Sequence, residues 1–180
     1  MKSMLRFFLE SAKVVVVALL IVAPIRLFVF QPFLVQGASM EPNFENGDYL
    51  IVDELSYRWR DPVRGEVIVF HFPYDTSQRY IKRVIGLPGE TVEVADGKVV
   101  IYAEGGGRVL SEYYLSEGME TTGSEKFQLA GNEYVVLGDN RGASSDSRSW
   151  GVLQRDFIVG RALVRLLPLT AVAAVSTPQY

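Results

Sequence analysis

An uninterrupted apolar run near the N-terminus constrains this chain more than any other feature. Residues 14–23 read VVVVALLIVA and carry no polar side chain, and the apolar trend continues beyond them, broken by Arg26 and Gln31. A helix that crosses a bilayer needs about 20 mostly apolar residues, a length that Leu9 to Phe30 supplies. The segment therefore predicts one N-terminal transmembrane helix, in which Pro24 is tolerated and the long side chain of Arg26 reaches the interface.

Basic residues precede the apolar segment, and they predict its orientation. By the positive-inside rule the N-terminus lies in the cytoplasm, because the residues before the span include Lys2, Arg6 and Lys13. We therefore divide the chain into a cytoplasmic N-terminus with its anchor, residues 1–36, and an extracytoplasmic domain, residues 37–180. Two alternatives stay open for the apolar segment: a cleavable signal peptide that ends at the small residues after it, or a buried amphipathic helix.

The rest of the chain has the pattern of short β-strands. Stretches rich in β-branched and aromatic residues alternate with Gly, Pro, Asp and Asn. Asp96-Gly97 predicts a hairpin, because a type I′ turn needs positive φ at both central residues, and Pro88-Gly89 predicts a second turn. The predicted strands are Val67–Phe72, Tyr80–Ile85, Thr91–Val94, Lys98–Tyr102, Glu133–Leu137 and Phe157–Leu166. The fold class is a mostly β domain of antiparallel sheets and hairpins, preceded by one N-terminal transmembrane helix.

Composition excludes several chemistries. The chain has 180 residues with no cysteine and one histidine, which excludes disulfides, a cysteine nucleophile, a cysteine-rich zinc site and a multi-histidine metal centre. The formal net charge is −3, and the body of the chain has no basic stripe, so nucleic-acid binding has little support. His71 lies inside a predicted strand and no G-x-S-x-G motif occurs, which disfavours histidine-dependent serine chemistry.

A serine activated by a lysine is the nucleophile chemistry that remains. Lys82 lies in RYIKRVIGLPG, on a predicted strand, where burial would lower its pKa towards about 7–8 and leave free amine to act as a base. Ser39, in VQGASMEPN, follows the anchor by a few residues, so its hydroxyl would lie close to the outer membrane surface. Taken alone, Lys82 is equally well interpreted as a solvated edge-strand lysine, and Ser39 as an ordinary loop serine.

A third polar segment is LGDNRGASSDSRSWG, residues 137–151. If the chain is extended after Gly142, then Ser144, Asp146 and Arg148 share one face. Asp146 and Arg148 would then form an ion pair, while Ser144 offers its hydroxyl to a neighbour such as a deprotonated lysine. The alternative interpretation is a solvated, turn-rich loop.

Taken in order, the anchor, SMEP, GDYLIVDELSY, RYIKRVIGLPGE and GDNRGASSDSRSWG resemble the bacterial type I signal peptidases, the serine–lysine leader peptidases. The resemblance runs from the anchor to about Arg165. It implies a membrane-anchored serine endopeptidase of the plasma (inner) membrane, which removes signal peptides from exported preproteins after small residues. It implies no metal and no cofactor, and its partners would be the signal peptides of secreted preproteins and the lipid bilayer.

By position, the resemblance makes Ser39 the nucleophile, whose own backbone N–H is one oxyanion donor, and Lys82 the general base. Shallow apolar pockets near the nucleophile would account for the preference for small residues. The candidate lining residues of those pockets are Phe33, Leu34, Met40 and Ile81. The supporting residues implied by the last motif are Ser144, which orients the lysine, the ion pair of Asp146 and Arg148, and the opening residues Gly138 and Asp139.

The chain departs from the family pattern at two positions. Gly37 stands where some members have a serine that supplies a second oxyanion donor, and Asn43 stands where many have a threonine. Neither departure removes a reacting group. Two other functions stay open: an anchored β-rich binding or scaffold domain, and a related Ser-Lys peptidase with a narrower range of substrates.

Overall fold

The structure is a computed structural model of the chain, and it describes residues 2–28, 30–103, 105–178 and 180. The helices are α1 (Lys2–Phe28) and α2 (Ser147–Trp150), with 3-10 turns at Ser56–Arg58, Arg141–Ala143, Arg155–Phe157 and Leu169–Ala171. The strands are β1 (Phe30–Leu34), β2 (Tyr49–Asp53), β3 (Val67–Phe72), β4 (Asp75–Gly86), β5 (Thr91–Ala95), β6 (Lys98–Ala103), β7 (Gly106–Val109), β8 (Lys126–Gln128), β9 (Glu133–Leu137), β10 (Leu153–Gln154), β11 (Ile158–Leu167) and β12 (Ala173–Ala174).

Helix α1 contains residues 9–28 of the predicted span. Each large apolar side chain from Val14 to Leu20 is between 53% and 69% exposed. The predicted span continues through residues 21–30, whose side chains lie outside those described. Among the described residues, no helix combines the length and the apolar character needed to cross a membrane. The transmembrane helix therefore stays a prediction.

The larger sheet carries the strands around the site. Within the described residues it has eight antiparallel strands in the order β1-β2-β11-β3-β4-β9-β10, with β12 paired to β11. Strand β4 is bonded to β3 along most of its length, but β9 pairs only with its last residues, Arg83 to Gly86. The first half of β4 therefore has one edge without a strand partner among the described residues, and β1 pairs only with β2.

A second sheet of four described strands, in the order β7-β6-β5-β8, continues from the end of β4. Its central hairpin turns at Asp96 and Gly97, whose φ angles are 50° and 74°, so the Asp-Gly prediction is confirmed. The two sheets share one buried apolar cluster. Its members include Ile85 at the end of β4, Val135 on β9, and Val92 and Val94 on the small sheet. This packing fixes the small sheet against the strand that carries Lys82.

The prediction of a mostly β domain of antiparallel sheets is confirmed, and each of the six predicted strands is present. Strand β4 begins earlier than predicted, at Asp75, because pairing with β3 extends into the polar residues of the hairpin. The strands that the sequence did not predict are β1, β2, β7, β8, β10 and β12. Most of these are short or contain Gly or Pro, and they are held by pairing with longer neighbours rather than by local propensity.

Candidate active site

Ser39 and Lys82 are far apart in the sequence and in contact in the fold. Lys82 Nζ lies 2.8 Å from Ser39 Oγ and donates a second hydrogen bond, also 2.8 Å long, to the carbonyl oxygen of Ile81. The lysine is only 4% exposed, so the interpretation of Lys82 as a solvated edge-strand residue is wrong. The two hydrogen-bond partners of the amine are a hydroxyl and a carbonyl oxygen, and neither is a carboxylate. In this arrangement a neutral amine could accept the hydroxyl proton.

Burial changes the acidity of the lysine. Removal from water disfavours the ammonium ion and lowers the pKa of Lys82 to about 8, although the charges of Asp146 and Asp139 act in the opposite direction. A base with a pKa near neutrality is partly free to accept a proton at the pH of the cell. Lys82 thus has the lowered pKa that the sequence analysis predicts for a lysine acting as a base.

The turn that carries Ser39 is held by the segment that follows β9. The backbone N–H of Asn140 donates to the carbonyl oxygen of Ser39 at 3.0 Å, and the Asn140 side chain donates to the carbonyl oxygen of Ala38 at 3.1 Å. Gly138 allows this close approach, because a Cβ at that position would lie 2.5 Å from the Ser39 carbonyl oxygen and would also collide with Ser144. The absence of a side chain at residue 138 is therefore a requirement of the site.

Asp146 and Arg148 form the predicted ion pair, but not in an extended chain. Arg148 donates from Nε and Nη2 to the two carboxylate oxygens of Asp146, at 2.9 and 2.8 Å. Asp146 is the N-cap of α2 and also accepts from the backbone N–H of Gly138 at 3.0 Å. Burial alone would raise the pKa of Asp146, but these hydrogen bonds outweigh it and the pKa lies below its usual value. The condition of an extended chain after Gly142 is not met at residues 147–150, where a helical turn forms instead.

Ser144 does not make the contact with the lysine that the resemblance implies. Its hydroxyl is buried beside Gly138, where it helps to lower the pKa of Asp146, and no hydrogen bond joins it to Lys82 among the described residues; the second partner of Lys82 is the carbonyl oxygen of Ile81. Asp139 is fully buried and binds Arg83, whose Nε lies 2.8 Å from Asp139 Oδ1. This second buried ion pair joins the segment after β9 to the residue that follows Lys82.

A cavity of about 600 Å³ opens beside Ser39 and Lys82. Three of the four predicted lining residues, Phe33, Leu34 and Ile81, form part of its wall. Met40 was also predicted to line it, but its side chain is only 1% exposed and packs in the core, because the turn after Ser39 directs it inward. The wall also contains residues that the sequence did not indicate, namely Gln36, Ser77, Gln78, Arg79, Tyr80 and Ser145.

Some of the missed residues had a detectable signal. Tyr80 and Gln78 share a strand face with Lys82 by the two-residue period, so they were accessible to sequence reasoning. The pair of Arg83 and Asp139 had no such signal, because it joins distant segments. Among the described residues, no group of three or more His, Asp or Glu side chains is placed to hold a metal ion.

The fold and the site together define a class of protein. A mostly β domain in which a cavity wall places a serine hydroxyl in contact with a buried lysine amine is an arrangement expected of a serine peptidase.

Comparison with known proteins identifies the family. The chain belongs to the family described as signal peptidase, peptidase S26, whose model matches residues 8–167. The probable signal peptidase I-1 of Synechocystis sp. is 38% identical over 170 residues, which cover 91% of this chain and 84% of that protein. The signal peptidase I of Leptolyngbya laminosa is 38% identical over 178 residues, which cover 94% and 85% respectively. A crystal structure of a signal peptidase I from Enterococcus faecalis has 33% identity and a TM-score of 0.48, and the match covers 57% of this chain and 97% of that one.

Membership of this family assigns an activity to the chain. The chain is a serine endopeptidase that cleaves the signal peptides of preproteins. The resemblance seen in the sequence motifs is confirmed.

Proposed function

We propose that Ser39 is the nucleophile and Lys82 the general base of signal-peptide cleavage. The observation that carries this proposal is the distance of 2.8 Å between Lys82 Nζ and Ser39 Oγ, in a pair whose lysine is buried. The pair lies at the wall of the 600 Å³ cavity, where a peptide can approach the hydroxyl. Geometry and acidity therefore support the same two residues.

The reaction follows from this arrangement. Ser39 Oγ attacks the carbonyl carbon of the scissile bond while the neutral amine of Lys82 accepts the hydroxyl proton. Lys82 then gives that proton to the leaving nitrogen, the C–N bond breaks and the signal peptide stays attached to Ser39 as an ester. A water molecule that loses a proton to Lys82 attacks the ester, and Lys82 passes that proton to the Ser39 oxygen as the ester bond breaks. The signal peptide leaves as a carboxylic acid, which releases its own proton to the solvent. These steps need no metal and no cofactor.

The residues around the dyad have positioning and binding roles in this proposal. The ion pair of Asp146 and Arg148 holds the backbone N–H of Gly138, and so fixes the segment that packs on the turn of Ser39. Asp139 acts through its hydrogen bonds to Arg83, and Ser144 acts through the Asp146 carboxylate, whose ionised form its hydroxyl stabilises. Small side chains before the cleaved bond are selected by the apolar part of the wall, formed by Phe33, Leu34 and Ile81.

The same proposal includes a membrane anchor. We place residues 1–36 in the cytoplasm and the plasma (inner) membrane, as a single-pass segment, and residues 37–180 on the extracytoplasmic side. The exposed apolar side chains from Val14 to Leu20 support this, because so much apolar surface is costly in water and favourable in lipid. Strand β1 follows α1 closely and supplies Phe33 and Leu34 to the cavity, so the site would lie near the membrane surface. Removal of residues 1–28 should release the enzyme from the membrane fraction of cells, and retention there would contradict the anchor.

The dyad is tested by cleavage of a preprotein with the full-length enzyme in detergent. Ser39→Ala and Lys82→Ala should each lower kcat/KM by about 10³-fold or more, because the activated nucleophile is lost. Ser124→Ala and Lys98→Ala are matched controls at exposed positions outside the cavity and should keep normal rates. Near-normal turnover in either dyad variant would contradict the mechanism. A panel of preproteins then measures the breadth of the substrate range.

A further inference from the structure

Asn43, one of the two departures from the family pattern, joins three segments of the site. Its side-chain nitrogen Nδ2 donates to Asp139 Oδ2 at 2.8 Å and to the carbonyl oxygen of Tyr114 at 2.8 Å. Asn43 lies in the turn that begins with Ser39, Asp139 in the segment after β9, and Tyr114 in the connection between β7 and β8. One amide group thus holds the turn of residues 39–43, which we call the nucleophile turn, to two other parts of the protein.

Asp139 continues this connection to the strand that carries the lysine. It is 0% exposed, and it binds the guanidinium of Arg83 through both carboxylate oxygens. A buried carboxylate is costly unless its oxygens are filled with donors, and Asn43 supplies the donor to Oδ2 that comes from outside this ion pair. Arg83 directly follows Lys82 on β4. The contacts therefore form a closed path from Ser39 through Asn43, Asp139 and Arg83 to Lys82.

The type of residue at position 43 matters for this path. An amide nitrogen carries two hydrogens and can donate to Asp139 and to the Tyr114 carbonyl at the same time. A threonine hydroxyl carries one hydrogen on a shorter side chain, so it can serve only one of the two acceptors. Asparagine is thus the residue that allows both contacts in this chain.

We propose that Asn43 is a positioning residue for cleavage, which holds the nucleophile turn against Asp139 and so keeps Ser39 Oγ within hydrogen-bonding distance of Lys82 Nζ. This inference deepens the proposed function and rests on the Ser39–Lys82 dyad. Asn43 does not line the 600 Å³ cavity beside Ser39 and Lys82. Its loss should therefore act on the placement of the nucleophile rather than on substrate binding. The effect should therefore fall on kcat more than on KM.

The first test measures kcat and KM of the full-length enzyme on a preprotein. Asn43→Ala should lower kcat roughly tenfold or more, with KM changed by less than about twofold, since small misplacements of reacting groups are costly. Asn43→Thr should recover part of the loss because it keeps one donor. Asn132→Ala is the matched control, an exposed asparagine in the turn before β9, and should behave as the unmodified enzyme.

A third variant separates hydrogen bonding from packing. Asn43→Leu keeps the approximate size of the side chain but has no donor for Asp139 or for the Tyr114 carbonyl. Its kcat should fall as in Asn43→Ala, with KM again changed by less than about twofold, because the turn of Ser39 is no longer held. A packing role would leave the kcat of Asn43→Leu near that of the unmodified enzyme.

The outcomes decide between the two proposals. A normal kcat in folded Asn43→Ala, or in folded Asn43→Leu, would overturn the positioning role. Loss of cooperative thermal unfolding in all three Asn43 variants would also overturn it, because the residue would then be needed only for folding. Ser39→Ala is assayed in parallel. If that variant still cleaves, the dyad itself fails, whereas an inactive Ser39→Ala beside a normal Asn43→Ala removes only the present inference.

Discussion

The buried amine of Lys82 predicts how cleavage depends on pH. A general base works only in its neutral form, so kcat/KM should rise with pH and level off above the pKa of the base. Burial lowers the pKa of Lys82 to about 8, from an ordinary value of 10.5. The acidic limb of the profile should therefore have its midpoint near pH 8.

The size of the effect follows from these two values. At pH 7, a base with a pKa of 8 is neutral in about one molecule in ten, whereas a base with a pKa of 10.5 is neutral in about three molecules in ten thousand. Burial of Lys82 thus increases the fraction of active base roughly 300-fold at this pH. The gain belongs to the tertiary structure, because an exposed lysine would not have it.

The assay is the initial rate of cleavage by the full-length enzyme in detergent, from about pH 6 to pH 11. The substrate should have no ionisable side chain near the cleaved bond, so that the acidic limb of the kcat/KM profile reports a pKa of the free enzyme. A midpoint near 10.5, the ordinary value for lysine, would refute the argument that burial makes Lys82 a base. A rate that does not change with pH would refute it as well.

Two further predictions concern stability. The pKa of Lys82 is lower in the folded state, so the unfolded chain binds more protons between about pH 8 and pH 10.5. The free energy of unfolding therefore rises with pH in that window, and at pH 7 the burial of Lys82 lowers it by about 3 kcal/mol. Lys82→Met should recover part of this cost in urea unfolding at pH 7 but not above pH 10.5, and a gain that is independent of pH would contradict the reasoning. Gly86→Ala should lose about 1–3 kcal/mol, because a Cβ there would lie 2.9 Å from Leu129 Cδ1 and 3.1 Å from Val135 Cβ. Gly131→Ala, where a Cβ meets no atom within 4 Å, is its control, and equal unfolding midpoints for the two variants would count against the packing argument.

Local sequence was sufficient for much of the fold. β3 has the predicted bounds, Val67–Phe72, because its residues favour strands and both ends carry turn residues. The hairpin at Asp96-Gly97 was equally accessible, since its positive φ angles depend on two adjacent residues. Strands such as β1 and β10 were not predictable in the same way, because their conformation depends on partners far along the chain.

The site shows the same division. The order of short motifs indicated the family, the serine and lysine that we propose as the reacting groups, and the acidic and basic residues of the last motif. The direction of individual side chains was not, as Met40 and Ser144 show: Met40 packs in the core, and Ser144 Oγ lies beside Gly138 rather than on the lysine. A turn of a few residues is enough to redirect a side chain, and the sequence pattern does not register it.

The sequence by itself determined the strand content, the predicted anchor and the residue types available for chemistry, because these depend on composition and on neighbours a few positions apart. Only the tertiary structure decided that Lys82 is buried and lies 2.8 Å from Ser39, and that Asn43, Asp139 and Arg83 link the two segments. The physical reason is that pKa and hydrogen-bond geometry depend on water exclusion and on contacts between residues distant in sequence. Those conditions exist only when the sheets have packed together.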